Sequence, residues 1–376
     1  MRDRIPAPLP PAETPPLLEA WYRELLPLAR FDISSSGVEA YGFAELRALT
    51  GLSNEDLDEV VLEDSVSFGA PRLRAALADR YAGGDASRVM ATHGSSEAIA
   101  LVLGALLNPG DRVVIVEPVY HSFRTIAEQR GCLLTEVPVG SLLSDADGVL
   151  DRALAPGARA LIVNFPHNPT GATISDDRLE ALLGKARRAG CVLVRDAAMA
   201  ELPMDGTPPG RDAPADAVTF GTLSKAFGLP GLRVGWCVAP PALIERTLAA
   251  RDRTTLFLSP LVELIAARSV RAADALIGPR LERARRNLGL LGEWIEKHRD
   301  FVGWVRPQGG VCGLIELAGV SDTEPFCRTL LERTGVLLVP GRAFNRPGAV
   351  RIGYGGPRAE LIEGLARLST ALHAGR

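Results

Sequence analysis

A chain of 376 residues with 47% hydrophobic and 23% charged residues has the makeup of a folded protein, which excludes a disordered one. Its formal net charge of -3 gives no basis for a nucleic-acid partner or an anionic membrane surface. The five cysteines (Cys132, Cys191, Cys237, Cys312, Cys327) are scattered and never spaced as a metal pair, so free thiols in a reducing cytoplasm and no metal site are expected.

Residues 1–18 are rich in proline and read as an extended arm, with no apolar signal-peptide core after Arg2 and Arg4. The longest uncharged apolar run, Ala98 to Leu107, is about half of what a bilayer requires, so a soluble cytoplasmic protein is expected. Leu17 to Leu28 predicts a short helix. From about Arg88, β-branched runs alternate with amphipathic helices. The predicted strands are Val89–Thr92, Val113–Val116, Ala160–Asn164, Val192–Arg195, Val218–Phe220 and Val234–Val238. Helices are predicted at Ser96–Leu107, Ser122–Gln129 and Asp176–Ala189. This rhythm indicates an α/β architecture with a predominantly parallel sheet covered on both faces. After Pro260 a long helical region runs to about Lys297. Short strands follow near Gly313–Glu316, Val336–Val339 and Val350–Tyr354, with helices at Glu324–Arg333 and Arg358–His373. The expected division is an arm and part of a small domain over 1–55, a large domain over 56–270, and a small α+β domain over 271–376.

Ligands of parallel α/β sheets bind at the carboxyl ends of strands, and several polar features fall there. Gly94-Ser95-Ser96-Glu97 joins a strand to a helix, and is either a phosphate cradle or an ordinary N-cap. Thr222-Leu223-Ser224-Lys225, with Arg233 eight residues on, places an amine among hydroxyls and glycines, where it can form an imine with an aldehyde cofactor. Asp196 ends an apolar strand and is either a helix cap or the partner of a cation. Asn164-Phe165-Pro166-His167-Asn168-Pro169-Thr170-Gly171 prescribes a tight turn with the Asn168 amide directed into a cleft. After another strand, the Tyr120 ring is placed to stack on a flat ligand.

With the Asn-Pro-Thr-Gly turn, Asp196, the Ser-Lys-Ala-Phe-Gly-Leu-Pro-Gly-Leu-Arg run and a late Arg351-Ile352-Gly353, the sequence resembles the class I/II aminotransferases of pyridoxal 5'-phosphate (PLP) fold type I over roughly residues 30–370. The resemblance implies a large domain with a mostly parallel mixed sheet, a small α+β domain, and a homodimer with its active site at the subunit interface. It implies that Lys225 holds the cofactor as a Schiff base and shuttles the Cα proton. Asp196 would pair with the pyridinium, Tyr120 stack on the ring, and Asn168 bind the ring oxygen. Ser95, Ser96, Thr222 and Arg233 would hold the phosphate, with Ser224 a weaker candidate, and Arg351 would clamp the substrate carboxylate.

Two positions depart from the family pattern. Met199 replaces a tyrosine that donates to the ring oxygen, and Asp64 replaces a tyrosine that reaches the partner's phosphate. An acid is repelled by a phosphate, so Asp64 is expected to face a cationic substrate. The run Phe31-Asp32-Ile33-Ser34-Ser35-Ser36-Gly37-Val38, with Tyr41 and Leu46-Arg47, is similar to a narrower group, the capreomycidine synthase-like hydroxyarginine cyclases of antibiotic pathways. So are Thr92-His93-Gly94-Ser95-Ser96-Glu97 and Tyr120-His121-Ser122. That likeness implies loss of a side-chain hydroxyl and closure of a guanidine ring. It places Gly37 beside the substrate and makes Asp64, Glu39 or Asp32 candidates for the guanidinium. His121 or His167 is the candidate acid or base, and each of His93, His121 and His167 has a loop-supporting role as its alternative. Plain transamination of an amino acid with a 2-oxo acid is the rival reading.

Overall fold

The computed structural model describes residues 15–144, 148–155, 157–205 and 210–374, so the proline-rich arm up to residue 14 lies outside the described residues. The chain opens with α1 (Leu17–Leu25), β1 (Phe31–Asp32), α2 (Phe43–Thr50), α3 (Asn54–Asp58) and α4 (Pro71–Tyr81). The alternating region follows: β2 (Val89–Thr92), α5 (Gly94–Leu106), β3 (Arg112–Glu117), α6 (His121–Gln129), β4 (Leu133–Pro138), α7 (Val139–Ser144), α8 (Val149–Leu154), β5 (Ala158–Asn164), α9 (Asp176–Arg188), β6 (Val192–Asp196), β7 (Val218–Thr222), β8 (Gly235–Val238) and α10 (Pro241–Arg251). Last come α11 (Pro260–Arg271), α12 (Ala273–Lys297), β9 (Val302–Trp304), β10 (Cys312–Leu317), α13 (Glu324–Thr334), β11 (Val336–Leu337), β12 (Val339–Pro340), β13 (Ala349–Gly353) and α14 (Arg358–Ala374).

Seven strands form the main sheet in the order β2-β8-β7-β6-β5-β3-β4, with β8 antiparallel to both neighbours and the other pairings parallel. Successive side chains of a strand point to opposite faces, and the core divides accordingly. Val113 and Ile115 pack with α5, α6 and α10 on one face. Val114 and Val116 pack with α7, α8 and α9 on the other. Burial on both faces explains the near-continuous apolar strands of the sequence.

A four-stranded antiparallel sheet, β12-β13-β10-β9, lies in the C-terminal part, and β1 joins β11 in a parallel pair. The N-terminal segment is therefore sewn to the C-terminal one. Trp21 of α1 strengthens this link by donating to the Leu338 carbonyl at 2.9 Å.

Three expectations are refined. The helix over Leu17 to Leu28 is α-helical only to Leu25, then tightens into a 3-10 turn containing Pro27, since a proline disfavours helical geometry in the residue before it. The helical region from Pro260 to Lys297 breaks at Ala272, whose φ of -96° and ψ of 20° turn the chain between α11 and α12. The strand expected over Val336–Val339 is two short strands, one for each smaller sheet.

Candidate active site

The strand directions bring the carboxyl ends of β2, β3, β5, β6 and β7 to one edge of the sheet, and β8, antiparallel to β2 and β7, begins there. Gly235 pairs with both Thr92 and Thr222, so Arg233, just before β8, lies between the start of α5 and the end of β7. A Cβ on Gly235 would stand 2.3 Å from the Ser95 nitrogen, and one on Gly94 (φ +75°) would stand 2.9 Å from the Arg233 guanidinium. Glycine is required at both positions to let the α5 N-terminus, Ser95, Ser96 and Arg233 converge. The Thr222 hydroxyl donates to Ser224 Oγ at 3.1 Å, and Arg233 Nη1 reaches the same oxygen at 3.5 Å. Ser224, the weaker candidate by sequence, thus sits between Thr222 and Arg233. Ser96 Oγ and the Tyr120 hydroxyl are 3.3 Å apart, which ties the aromatic ring to this cradle.

Asp196 is buried at the end of β6, level with Asn164 of β5, and Oδ1 accepts one bond from the Ala198 N–H at 3.0 Å. Burial pushes its carboxyl above the usual carboxylate range, against the attraction of Lys225 and Arg195. A cationic ring nitrogen is the partner that would restore the charge. Lys225 follows β7, and its Nζ donates to Ser36 Oγ at 2.8 Å. Burial and the neighbouring Arg351 lower its pKa, favouring the neutral amine that imine formation needs. Gly37 lies against the same segment, its Cβ direction 3.5 Å from the Ser224 carbonyl. Met199 is buried against Gly310 and brings no hydroxyl to the site.

Arg351, on β13, is 1% exposed yet faces only neutral acceptors among the described residues. Nε donates to the Ser34 carbonyl at 3.1 Å, Nη1 to Asn168 Oδ1 at 3.2 Å, and Nη2 to the Tyr22 hydroxyl at 2.6 Å. Tyr22 in turn donates to the Ser34 carbonyl at 3.1 Å, and burial raises its pKa, so the phenol stays protonated. A buried guanidinium without an acid is a receptor for a carboxylate.

Other expected residues are placed differently. Asp64 stands exposed beside exposed Val61, Leu62 and Val66, and makes no hydrogen bond or ion pair among the described residues. The structure therefore does not join it to this chain's own cleft. Asp32 Oδ1 is committed to the Ser34 N–H and hydroxyl, and Glu39 to Arg280 and Arg283. Both are thus already engaged within this chain. His93 is exposed and paired with Glu97. His167 is fully buried, with Nδ1 2.8 Å from the Thr170 hydroxyl and Nε2 2.8 Å from the Pro118 carbonyl. Burial pulls its pKa down to about 4, so it fixes the turn as a neutral ring. His121 instead reaches Glu19 of α1, 3.1 Å from Nε2 to Oε1, with its ring 4.3 Å from that of Tyr120.

Sequence reasoning missed Tyr22, Ser36, Glu19 and Cys312. Cys312 Sγ lies 3.7 Å from Asn168 Oδ1, and burial raises its pKa, so it is a neutral donor. Ser36 carried a signal, as the last serine of a three-serine run before Gly37. The polar residues of α1, three apart, look like an ordinary solvated face. Among the described residues, no group of three or more histidine, cysteine or acidic side chains able to hold a metal occurs, and no helix is long and apolar enough to cross a membrane.

The strand-end hydroxyls, the depressed amine and the buried acid define a site for a phosphorylated, cationic aromatic aldehyde. The model of aminotransferase class I and II matches residues 65–368, and the chain belongs to that family. It is a PLP-dependent enzyme of the aminotransferase fold, and the residues present fit the cofactor. Capreomycidine synthase from Streptomyces vinaceus is 44% identical over 363 residues, covering 94% of this chain and 93% of that protein. The crystal structure of the PLP-dependent cyclase OrfR superposes with a TM-score of 0.92 at 49% identity, over 98% of this chain and 99% of that one. Arginine–pyruvate transaminase from Pseudomonas aeruginosa is 33% identical over 288 residues, 72% of this chain and 70% of that protein.

Proposed function

We propose that the protein is a cyclase that eliminates water from a hydroxylated arginine and closes its guanidine into a ring, in a biosynthetic pathway for a peptide antibiotic. One observation carries this reading: likeness to the two cyclases spans nearly the whole chain at 44% and 49% identity. Bound PLP supplies an electron-withdrawing ring that acidifies the substrate Cα–H.

The chain's own residues supply the rest. Ser95, Ser96, Thr222, Ser224 and Arg233 hold the phosphate, Asp196 the ring nitrogen, Asn168 the ring oxygen, and Tyr120 the ring face. Arg351 receives the α-carboxylate as a charge-assisted pair, steadied by Tyr22 and Ser34. Lys225 takes the Cα proton and later returns it to the same carbon, so the substrate amino group is kept. Gly37 leaves room beside that lysine. His121 gives a proton to the departing hydroxyl, which leaves as water, and recovers one from the guanidine nitrogen that bonds to the ring carbon. Met199 leaves the cofactor oxygen without the family's phenol donor. Asp64, on its exposed apolar rim, faces the partner protomer of a homodimer.

The competing reading is transamination, favoured by the likeness to a transaminase of arginine. Incubation with 3-hydroxyarginine and no 2-oxo acid separates the two by product mass. Loss of one water with the amino group retained is the expected result; turnover only when a 2-oxo acid is present overturns the proposal.

A further inference from the structure

We infer that Glu19 is the specificity-determining carboxylate of this site: it receives the cationic end of the substrate side chain, with His121 orienting it. The inference rests on the cyclase reading and names the group which that reading lacks. A guanidine substrate needs an anionic partner, and the acids nearest in sequence to the Ser34-Ser35-Ser36-Gly37 run are already engaged. Asp32 serves its own turn and Glu39 serves two arginines of α12.

Glu19 is different. Residues three apart on a helix share a face, so Glu19 and Tyr22 project to the same side of α1. Tyr22 is anchored on Arg351 at 2.6 Å, which fixes where that face points. One turn earlier, Glu19 meets His121 Nε2 at 3.1 Å, and the His121 ring lies against Tyr120. The carboxylate thereby lies on the helix face that Tyr22 turns toward Arg351, beside His121 and within electrostatic reach of Tyr120. It is also close enough to Lys225 for each charge to act on the other. The Glu19 side chain is 44% exposed, and among the described residues His121 is its hydrogen-bond partner. Bonding to His121 lowers its pKa, so it is anionic at neutral pH.

A cleft bounded by Leu18, Tyr120, His121, Asn168 and Phe344 opens beside it. An arginine side chain extending from a carboxylate on Arg351 brings a cation toward the face of α1 that carries both Tyr22 and Glu19. The planar guanidinium can give two N–H donors to one carboxylate.

The test uses the PLP-loaded enzyme and two amino acids without a hydroxyl to lose, L-arginine and L-norleucine, whose unbranched side chain carries no charge. Their dissociation constants are read from the change in cofactor absorbance. Wild type should prefer arginine, and Glu19→Gln should cut that preference by about 10–100-fold while leaving norleucine binding unchanged. Glu19→Asp should recover part of it. His121→Gln, which retains a donor, should lower the preference less than Glu19→Gln does. Unchanged preference in Glu19→Gln overturns the assignment. So does a wild-type enzyme that cyclises 3-hydroxyarginine yet binds both probes alike, and the cyclase reading then survives. A Glu19-dependent preference for arginine without any cyclisation has the opposite meaning: the assignment stands and the cyclase reading falls.

Discussion

The two ends of the cleft are built in different ways. The proposed cofactor end, from Ser95 to Arg233, is assembled where strands of one sheet stop and helices start, with glycines setting the close approaches. The proposed substrate end gathers Glu19, Tyr22, Ser34, Ser36 and Arg351 from opposite ends of the chain through α1, the segment after β1, and β13. The first is fixed by backbone geometry and tolerates little change. The second depends on individual side chains, and there a protein can alter what it accepts without disturbing how it holds its cofactor.

Substitutions can break this contrast, beginning with the largest effect. Lys225→Ala should abolish both turnover and the absorbance of covalently held PLP; an enzyme that kept either would remove the lysine from the site. Asp196→Asn should lower turnover by roughly 10²–10³-fold by withdrawing the charge opposite the ring nitrogen, and the mutant's cofactor should dissociate faster in dialysis. His167 ties the turn at Thr170 to the loop at Pro118, and its neutral ring is favoured by the fold. Its contribution is therefore fully present above pH 6.5 and is lost as pH falls toward about 4, at most about 3 kcal/mol. Urea unfolding at pH 7 and pH 4.5 should show a smaller loss for His167→Gln than for wild type. Tyr22→Phe, the mildest change, removes one acceptor from Arg351. Raising KM about 10-fold with kcat and cofactor retention nearly unchanged would sharpen the contrast, whereas loss of cofactor would show that the ends are not separable.

Much of the proposed cofactor end could be picked out because its residues sit at local landmarks. Asp196 ends an apolar run, Ser95 and Ser96 start a helix, and Lys225 lies between hydroxyls and glycines. The strands of the main sheet were legible for the same reason, save β4. Its Leu133 is exposed at the sheet edge and its run Leu-Leu-Thr-Glu-Val-Pro lacks the doubly buried pattern. Tyr22 and Glu19 were not legible, since their meaning comes from Arg351 and His121, far along the chain. His167 carried a misleading signal: its position beside Asn168 suggested chemistry, while two short contacts and full burial make it a strut. Asp32 and Glu39 misled likewise, because a sequence does not reveal which acids are already paired.

The anchoring of Tyr22 on Arg351 also orders events during synthesis on the ribosome. Every residue of the phosphate cradle has emerged once Arg233 is clear of the exit tunnel, whereas α1, made first, must wait for β13 near the chain's other terminus. A nascent chain of this protein therefore has the parts to hold its cofactor well before it has the parts to choose a substrate.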